Sequence, residues 1–366
     1  MIRVGVLGAS GSIGTQTLDV VRRYPDRFVV SLLAVGSRRD RLNALGEEFG
    51  CQRLISAVEN PQALHNPDLY DECDVVVNGI GGIGGIQPSR AVLESGAQLA
   101  TANKECLVAC GDYLMTLARS KHKTIIPIDS EHSTIARCLE GGTVKRLLLT
   151  ASGGAFRSKT KEEIAVAKAE AALLHPNWKM GEKITIDCAT MANKGMELIE
   201  AKHLFGIPAE AIDVVVHPES IVHSLVEFTD GTMKAALSYP DMAIPIQYAL
   251  TAPQTLETDV KPLDLAAIGS LRFEKPDELR FPCLTIAKEV NKAGGNTGAV
   301  FAIADEIAVA LYRSGTIGFY GINAVIQEAL DRFADRRITV EPAGIAGMEE
   351  EVREYTLSTT VRRFTI

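Results

Sequence analysis

The feature that most constrains the fold of this chain is a glycine loop placed directly behind its first predicted strand. Residues 2–7 form a short run of β-favouring apolar side chains, and an amphipathic helical pattern follows the loop. The loop itself reads Gly8-Ala9-Ser10-Gly11-Ser12-Ile13-Gly14. Bare backbone amides in such a loop, together with the N-terminus of the next helix, can bind a pyrophosphate. The sequence therefore predicts a dinucleotide-binding βα unit.

Strand-like and helical segments alternate along the first part of the chain, as they do in a parallel sheet. We therefore predict an α/β fold whose residues 1–125 form a Rossmann-like, doubly wound, NADPH-binding domain. The β-type runs fall at 2–7, 29–35, 74–77, 98–101 and 124–128.

The pattern changes after residue 125. Strand-like runs at 144–150, 183–187, 214–216 and 231–237 mix with helical patterns at 161–168 and 192–204. This mixture predicts an α+β catalytic domain over 126–251. Residues 252–282 carry several prolines and little periodicity, which predicts a linker. Apolar residues at three- and four-residue spacing over 283–366 predict a C-terminal helical domain.

The composition limits which binding partners and which cellular compartment we expect for this chain. The net charge is −8 and the basic residues are scattered, so we expect neither nucleic acid nor an anionic membrane as a partner. Seven cysteines without a C-x-x-C pair indicate reduced thiols, as in a cytoplasmic protein. No stretch reaches the roughly 18 apolar residues of a membrane span, so we expect no membrane association.

The segment after the second predicted strand bears on the type of dinucleotide. NAD-specific sheets usually place an acidic residue there to bind the ribose hydroxyls. This chain instead has Gly36-Ser37-Arg38-Arg39, which offers a hydroxyl and two guanidinium groups to a 2′-phosphate. The pattern favours NADPH. The alternative is a solvated basic turn, with Asp40 tempering its charge.

Three carboxylates suggest a metal site. Asp129 and Glu131 follow a β-type run, and alternation along an extended chain would point both to the same side. Asn193 and Glu197 stand four apart on one face of a predicted helix. Such hard oxygen ligands suit Mg²⁺ or Mn²⁺ as a Lewis acid. Taken singly, each acid is more often a solvated surface charge or a helix cap.

Two further segments suggest a phosphate site. Ser152-Gly153-Gly154 follows a predicted strand and resembles an anion-binding turn, to which Asn193 and Lys194 could add an amide and a cation.

The segment 175–181 holds Trp178, the only tryptophan, among polar residues, proline and glycine. These neighbours favour a mobile lid that excludes water over an ordinary core tryptophan. His217 and His223 are interpreted as supporting or structural residues, with direct catalysis as the alternative.

Six motifs occur in a fixed order along the chain. They are Gly-Ser-Ile-Gly-Thr-Gln-Thr-Leu-Asp-Val-Val at 11–21, Ala-Asn-Lys-Glu at 102–105, Pro-Ile-Asp-Ser-Glu-His at 127–132, Ser-Gly-Gly at 152–154, His-Pro-Asn-Trp at 175–178 and Asn-Lys-Gly-Met-Glu at 193–197. In this order they resemble the 1-deoxy-D-xylulose-5-phosphate reductoisomerase family over essentially the whole chain. The resemblance implies a homodimer that uses NADPH and a divalent metal to rearrange and reduce this sugar phosphate to 2-C-methyl-D-erythritol 4-phosphate, in non-mevalonate isoprenoid synthesis.

The resemblance also implies roles for individual residues. The expected metal ligands are Asp129, Glu131 and Glu197, and the resemblance implies that they share catalysis with Lys104 and His175. The residues expected at the substrate are Lys104, Ser130, Glu131, Ser152, His175, Trp178, Cys188, Asn193, Lys194 and Glu197. The residues expected at the cofactor are Ser10, Gly11, Ser12, Ile13, Gly36, Ser37, Arg38, Asn103, Glu105 and Gly181.

Two positions depart from the family pattern. Ala155 stands where a proline commonly follows Ser-Gly-Gly, and Cys188 stands where a serine usually helps to bind the phosphate. Two other functions remain open at this point, namely a metal-independent NADP-linked semialdehyde or hydroxy-acid dehydrogenase and a non-enzymatic NADP sensor. Neither needs a three-carboxylate cluster.

Overall fold

The computed structural model describes residues 1–178, 180–336 and 338–360. These residues form two compact units. The first unit consists of Met1–Cys106, Asp112–Ser133 and Asp241–Lys261. The second consists of Leu107–Gly111, Thr134–Pro240 and the described part of Pro262–Ile366.

The helices and strands follow one another with these bounds. The strands are β1 (Ile2–Leu7), β2 (Phe28–Val35), β3 (Leu54–Ser56), β4 (Val75–Asn78), β5 (Gln98–Thr101), β6 (Ile125–Pro127), β7 (Val144–Ala151), β8 (Ile212–Val216), β9 (Val222–Phe228) and β10 (Met233–Leu237). The helices are α1 (Ser12–Arg23), α2 (Arg39–Phe49), α3 (Ile86–Glu94), α4 (Lys104–Ser120), α5 (Ser130–Cys138), α6 (Lys161–Ala165), α7 (Ala169–Ala172), α8 (Glu182–Thr190), α9 (Ala192–Phe205), α10 (Ala243–Thr251), α11 (Leu265–Ile268), α12 (Pro282–Ala293), α13 (Thr297–Arg313), α14 (Gly321–Phe333) and α15 (Pro342–Tyr355).

The first unit is built on a six-stranded sheet in the order β3-β2-β1-β4-β5-β6. Every neighbouring pair in it is parallel. The chain order reverses between β1 and β4, so the carboxyl ends of these two strands border the crevice where ligands bind in open α/β sheets. The predicted doubly wound sheet is confirmed. The prediction missed β3, which has only three residues.

The core of the first unit forms because apolar side chains repeat at strand and helix periods. Val4 and Val6 of β1 are fully buried, and Leu18 of α1 packs in the same apolar cluster. Full burial of each such side chain stabilises the fold by about 1.5–3 kcal/mol. Gly14 lets α1 approach the loop, since a Cβ there would lie 2.2 Å from the Gly8 carbonyl oxygen.

Helix α10 explains why residues 241–261 belong to the first unit. Ile246 and Leu250 join its apolar cluster, and the Tyr24 hydroxyl donates to Gln247 Oε1 over 2.9 Å. The units therefore divide the chain differently from the boundaries drawn on the sequence. The functions predicted for 1–125, 126–251, 252–282 and 283–366 stay predictions.

The second unit contains a four-stranded mixed sheet in the order β10-β9-β7-β8. Strand β7 pairs parallel with β8 and antiparallel with β9, which in turn pairs antiparallel with β10. The α+β prediction is confirmed. Four of its helices, α12 to α15, lie between Pro282 and Tyr355, so the region after the predicted linker is helical as expected. None of the helices in the described part of the chain has the length and apolar character needed to cross a membrane.

The strand predicted at 183–187 is wrong, because these residues lie inside helix α8. Their alternation of polar and β-branched residues imitates a strand, but tertiary contacts override this local preference. Thr185 and Ile186 are buried in the helix, and Lys183 pairs with Asp187 one turn later over 2.7 Å.

Candidate active site

The glycine loop lies where the sequence predicts a dinucleotide. Gly8 has a φ of +77°, and a Cβ on it would lie 2.7 Å from the Gly79 carbonyl oxygen, so a side chain cannot be accommodated. No side chain of the described residues caps α1, which leaves the amides of its first turn facing the loop. Ser10 and Gly11 lie in the loop, and Ser12 and Ile13 form the start of α1.

The basic segment after β2 meets this loop through one arginine. Arg38 Nη1 donates to the Ser10 carbonyl oxygen over 3.2 Å. Arg39 is the first residue of α2 and instead pairs with Glu59 over 2.5 Å, with both side chains about half exposed. Gly36 and Ser37 connect β2 to this helix. Of the two guanidinium groups, that of Arg38 is therefore next to the glycine loop.

A second glycine run, missed on the sequence, follows β4 at 79–85. Asn78 is fully buried and donates from Nδ2 to the Gly85 carbonyl over 3.0 Å. Asn103 donates from Nδ2 to the Gly82 carbonyl over 2.7 Å and accepts from the Cys106 amide over 2.8 Å. Since β1 and β4 are neighbours, both glycine runs border the same crevice. A glycine-rich run directly after a buried strand was the signal that could have found it.

Lys104 and Asp129 form a buried ion pair at the carboxyl edge of this sheet. Lys104 Nζ lies 2.8 Å from Asp129 Oδ2, and the two side chains are 6 % and 15 % exposed. Burial favours the neutral acid, but the Lys104 charge and His132 outweigh it and hold the pKa of Asp129 well below its ordinary value. Asp129 is therefore a carboxylate, as a metal ligand must be. Glu105 is half-buried in the first turn of α4.

The expectation that Asp129 and Glu131 alternate along an extended chain is wrong. Strand β6 ends at Pro127 and helix α5 begins at Ser130, so Glu131 lies in a first helical turn, where a carboxylate is favoured by the helix dipole. The Ser130 hydroxyl donates to Glu131 Oε2 over 2.6 Å, and its amide donates to Asp129 Oδ1 over 3.0 Å. The turn, rather than alternation, brings these groups together.

In the second unit, Ser152 contacts His175. The distance from Ser152 Oγ to His175 Nε2 is 2.9 Å, and the Gly154 amide donates to the same hydroxyl over 3.2 Å. His175 Nδ1 accepts from the amides of Asn177 and Trp178 over 3.2 and 2.9 Å. Nδ1 is thus an acceptor, which makes Nε2 the protonated donor of a neutral ring. Burial, with the charge of nearby Lys194, lowers the pKa of His175 to about 4.

The predicted lid packs on the turn before β9. Asn177 Nδ2 donates to the Pro218 carbonyl and to Ser220 Oγ, both over 2.7 Å. The Trp178 and His223 rings meet edge to face with centroids 6.0 Å apart. Burial also lowers the pKa of His223 to about 4, although its bond to the Ser238 carbonyl opposes this. Lys179, inside the predicted lid, lies outside the described residues.

His217 has both ring nitrogens engaged in the fold. Nδ1 lies 2.8 Å from the Arg272 carbonyl, and the Ile221 amide donates to Nε2 over 3.1 Å. The ring stacks on Phe273 with centroids 4.8 Å apart. This arrangement agrees with the structural role predicted for His217.

Helix α9 brings together three of the predicted residues. Glu197 is 1 % exposed and accepts hydrogen bonds from Asn193 Nδ2 and Lys194 Nζ. Cys188 is half-buried in the last turn of α8, and Gly181 precedes the first turn of that helix. Glu197, like Asp129 and Glu131, offers the hard carboxylate oxygens that Mg²⁺ and Mn²⁺ prefer, so the donor set fits a divalent cation.

Family models match most of the chain. The model described as 1-deoxy-D-xylulose 5-phosphate reductoisomerase matches residues 4–69 and 55–111. Two models described as C-terminal domains of this enzyme match residues 125–205 and 237–355.

Individual proteins are similar over nearly the full length. The 1-deoxy-D-xylulose 5-phosphate reductoisomerase of Geobacillus sp. (strain WCH70) is 44 % identical, covering 97 % of this chain and 99 % of the relative. The enzyme of the same name from Persephonella marina is 47 % identical over 91 % of both chains.

Solved structures agree with these relatives. A crystal structure of DOX-P reductoisomerase in complex with NADPH, fosmidomycin and magnesium superposes with a TM-score of 0.93 at 35 % identity, covering 99 % of this chain and 98 % of that one. The Zymomonas mobilis 1-deoxy-D-xylulose 5-phosphate reductoisomerase in complex with NADPH gives 0.88 at 35 % identity, covering 98 % and 99 %.

Proposed function

Because this chain belongs to the 1-deoxy-D-xylulose 5-phosphate reductoisomerase family, we propose that Asp129, Glu131 and Glu197 are the ligands of its catalytic cation. The chain is an enzyme that converts 1-deoxy-D-xylulose 5-phosphate to 2-C-methyl-D-erythritol 4-phosphate with NADPH and a divalent metal, in non-mevalonate isoprenoid synthesis. It is therefore neither a metal-independent dehydrogenase nor an NADP sensor.

The observation that carries the metal assignment is the start of helix α5. Asp129 is held ionised beside Lys104, and Glu131 follows in the first helical turn. Glu197 is a buried carboxylate with a cationic neighbour, which argues against a solvated surface charge. A divalent cation held by these three carboxylates would supply Lewis-acid stabilisation to oxygens of the substrate, and bound NADPH would supply hydride.

Lys104 is assigned to the reacting oxygens. Its ammonium group is 2.8 Å from Asp129 and its side chain is 6 % exposed, so water screens its charge little. Both the rearrangement and the reduction develop negative charge on oxygen. A fixed ammonium stabilises that charge more strongly in the transition state than in the ground state.

The second unit supplies the groups for the substrate phosphate. Ser152 Oγ accepts from His175 and Gly154, which leaves its own proton to donate to an anion. Asn193 and Lys194 add an amide and a cation, and Trp178 covers the ligand and excludes water. Ser130 and Cys188 complete the set of substrate contacts that we propose.

The cofactor contacts are assigned to the first glycine loop and the segments beside it. The loop amides at Ser10 to Ile13 hold the pyrophosphate, and Arg38 with Ser37 holds the 2′-phosphate. Gly36, Asn103, Glu105 and Gly181 are also assigned to the cofactor.

We also propose a homodimer in the cytoplasm with no nucleic-acid or membrane partner. Support for self-association comes from β10, an edge strand whose Met233 and Leu237 are 46 % and 41 % exposed. Support for a reducing compartment comes from the seven cysteines, all of which lie in described residues and none of which is in a disulfide.

Binding of Mn²⁺ tests the carboxylate assignment without relying on turnover. The loss of the free Mn²⁺ signal in electron paramagnetic resonance gives the affinity of each variant. Glu131→Gln, Asp129→Asn and Glu197→Gln should each weaken binding at least about tenfold, since even outer-shell substitutions cost that much. NADPH binding to the glycine loop should stay unchanged.

Glu140→Gln is the matched control, because Glu140 is an exposed acid two residues beyond the end of helix α5. It should bind Mn²⁺ as the wild type does. Wild-type Mn²⁺ affinity in all three carboxylate variants would contradict the assignment.

A further inference from the structure

A buried ion triad outside the proposed active site joins helix α8 to helix α13. Lys183 Nζ lies 2.7 Å from Asp187 Oδ2 on its own helix and 2.7 Å from Asp305 Oδ2 on α13. The carboxylate side chains are 2 % and 0 % exposed, and that of Lys183 is 27 % exposed. One ammonium group thus lies between two carboxylates buried in the second unit.

The ion pairs of this triad hold helices α8 and α13 at a fixed separation. A buried carboxylate separated from its cation is strongly destabilising, so the three groups keep their spacing when the surroundings shift. The Oδ1 atom of Asp305 accepts no hydrogen bond from any described residue. The ion pair with Lys183 therefore fixes the Asp305 carboxylate, and through it the separation of α8 from α13.

Helix α8 in turn packs directly on the proposed phosphate turn. A Cβ at Gly154 would lie 2.4 Å from the Cys188 carbonyl oxygen and 2.8 Å from the Ala189 Cα. Backbone therefore meets backbone there, with no flexible side chain to absorb a shift. The Gly154 amide donates to Ser152 Oγ, so a displacement of α8 moves the hydroxyl proposed to bind the phosphate.

We propose that Asp305 is a positioning residue for binding of the phosphate group of the substrate. It acts through Lys183, which sets α8 against the turn at 152–154 and aligns Ser152. The inference rests on the proposed function, since that assigns the turn to the phosphate. Asp305 contacts neither substrate nor cofactor in this account, and its effect is on affinity.

Asp305→Asn is the primary test, because the amide keeps the volume of the side chain and removes only its charge. We expect the KM for 1-deoxy-D-xylulose 5-phosphate to rise about tenfold, within the range of coupling between contacting residues. The inhibition constant of inorganic phosphate should rise by the same factor. The kcat should stay within about threefold and the Kd of NADPH should not change.

The exposed pair Glu182–Arg313 joins the same two helices and supplies the control. Its side chains are 58 % and 44 % exposed, so Glu182→Gln should leave KM and the phosphate inhibition constant within about twofold of the wild-type values.

Lys183→Gln combined with Asp305→Asn should raise KM by less than the product of the single effects, because Asp305 acts through Lys183.

Lys183→Arg is the second test variant if Asp305→Asn does not fold, because arginine keeps the positive charge and changes the length and shape of the side chain. It should raise KM about threefold with little change in kcat. A wild-type KM and phosphate inhibition constant in folded Asp305→Asn or Lys183→Arg, with only a lower Tm, would show that the triad is purely structural. A wild type that phosphate does not inhibit would instead overturn the proposed phosphate turn.

Discussion

His175 donates its Nε2 hydrogen to Ser152 Oγ over 2.9 Å, because its other ring nitrogen already accepts from two backbone amides. The acceptor role of Nδ1 requires a neutral imidazole. Protonation of Nδ1 would remove the acceptor that holds the amides of Asn177 and Trp178. The same ring therefore links the phosphate hydroxyl to the segment that carries the tryptophan.

Stability should depend on pH through this ring. Burial and the Lys194 charge lower the pKa of His175 from 6.5 to about 4. As the pH falls from about 6.5 to about 4, the unfolded chain takes up a proton that the folded ring does not. The free energy of unfolding should therefore decrease over this window and stay level above it.

His175→Gln should show a flatter pH dependence in chemical denaturation than the wild type. Some slope should remain, because burial also lowers the pKa of His223 to about 4. Equal slopes for the two proteins between pH 6.5 and 4 would mean that folding does not lower the pKa of His175.

The preference for NADPH over NADH should depend on Arg38. Its guanidinium lies next to the glycine loop, and each hydrogen bond to a charged phosphate contributes about 1.5–3 kcal/mol. Arg38→Ala should lower the NADPH-to-NADH ratio of kcat/KM by about tenfold or more. Arg39→Ala is the control, since Arg39 pairs with Glu59, and it should change the ratio little. An unchanged ratio in Arg38→Ala would place the 2′-phosphate elsewhere.

Trp178→Ala should raise KM and lower kcat together. The indole packs against His223, and its loss should expose the ligand to water and loosen its position. Phe273→Ala, which removes the stacking on His217, should lower Tm with near-normal kinetics. If Trp178→Ala lowers only Tm, the tryptophan supports the fold and does not cover the ligand.

Cys188→Ser should strengthen substrate binding. A thiol is a poorer hydrogen-bond donor than the hydroxyl usual at this position, and Cys188 is half-buried in the last turn of α8. We expect KM to fall about three- to tenfold with kcat little changed, because a residual S–H contact recovers part of a charged hydrogen bond. A KM within twofold of the parent would show that an ordered water or a backbone shift already fills this position.

The sequence predicts the sheet of the first unit because its strands are continuous apolar runs, whereas three-residue β3 has too little pattern to detect. The strand predicted at 183–187 is wrong because Lys183 pairs with Asp187 one helical turn away and with Asp305 on another helix. The extended conformation predicted for Glu131 is also wrong, because the chain turns at Asp129 and helix α5 begins at Ser130. Motifs located the candidate site residues, but the tautomer of His175 and the contact of Lys183 with Asp305 depend on atoms distant in the chain.

Metal dependence of NADPH oxidation in the presence of 1-deoxy-D-xylulose 5-phosphate tests the central claim most directly. The absorbance of NADPH is followed in enzyme treated with EDTA and again after Mg²⁺ or Mn²⁺ is added in excess. If Asp129, Glu131 and Glu197 hold a cation that both chemical steps require, EDTA should abolish oxidation and either metal should restore it. Oxidation at the original rate in EDTA would contradict the account.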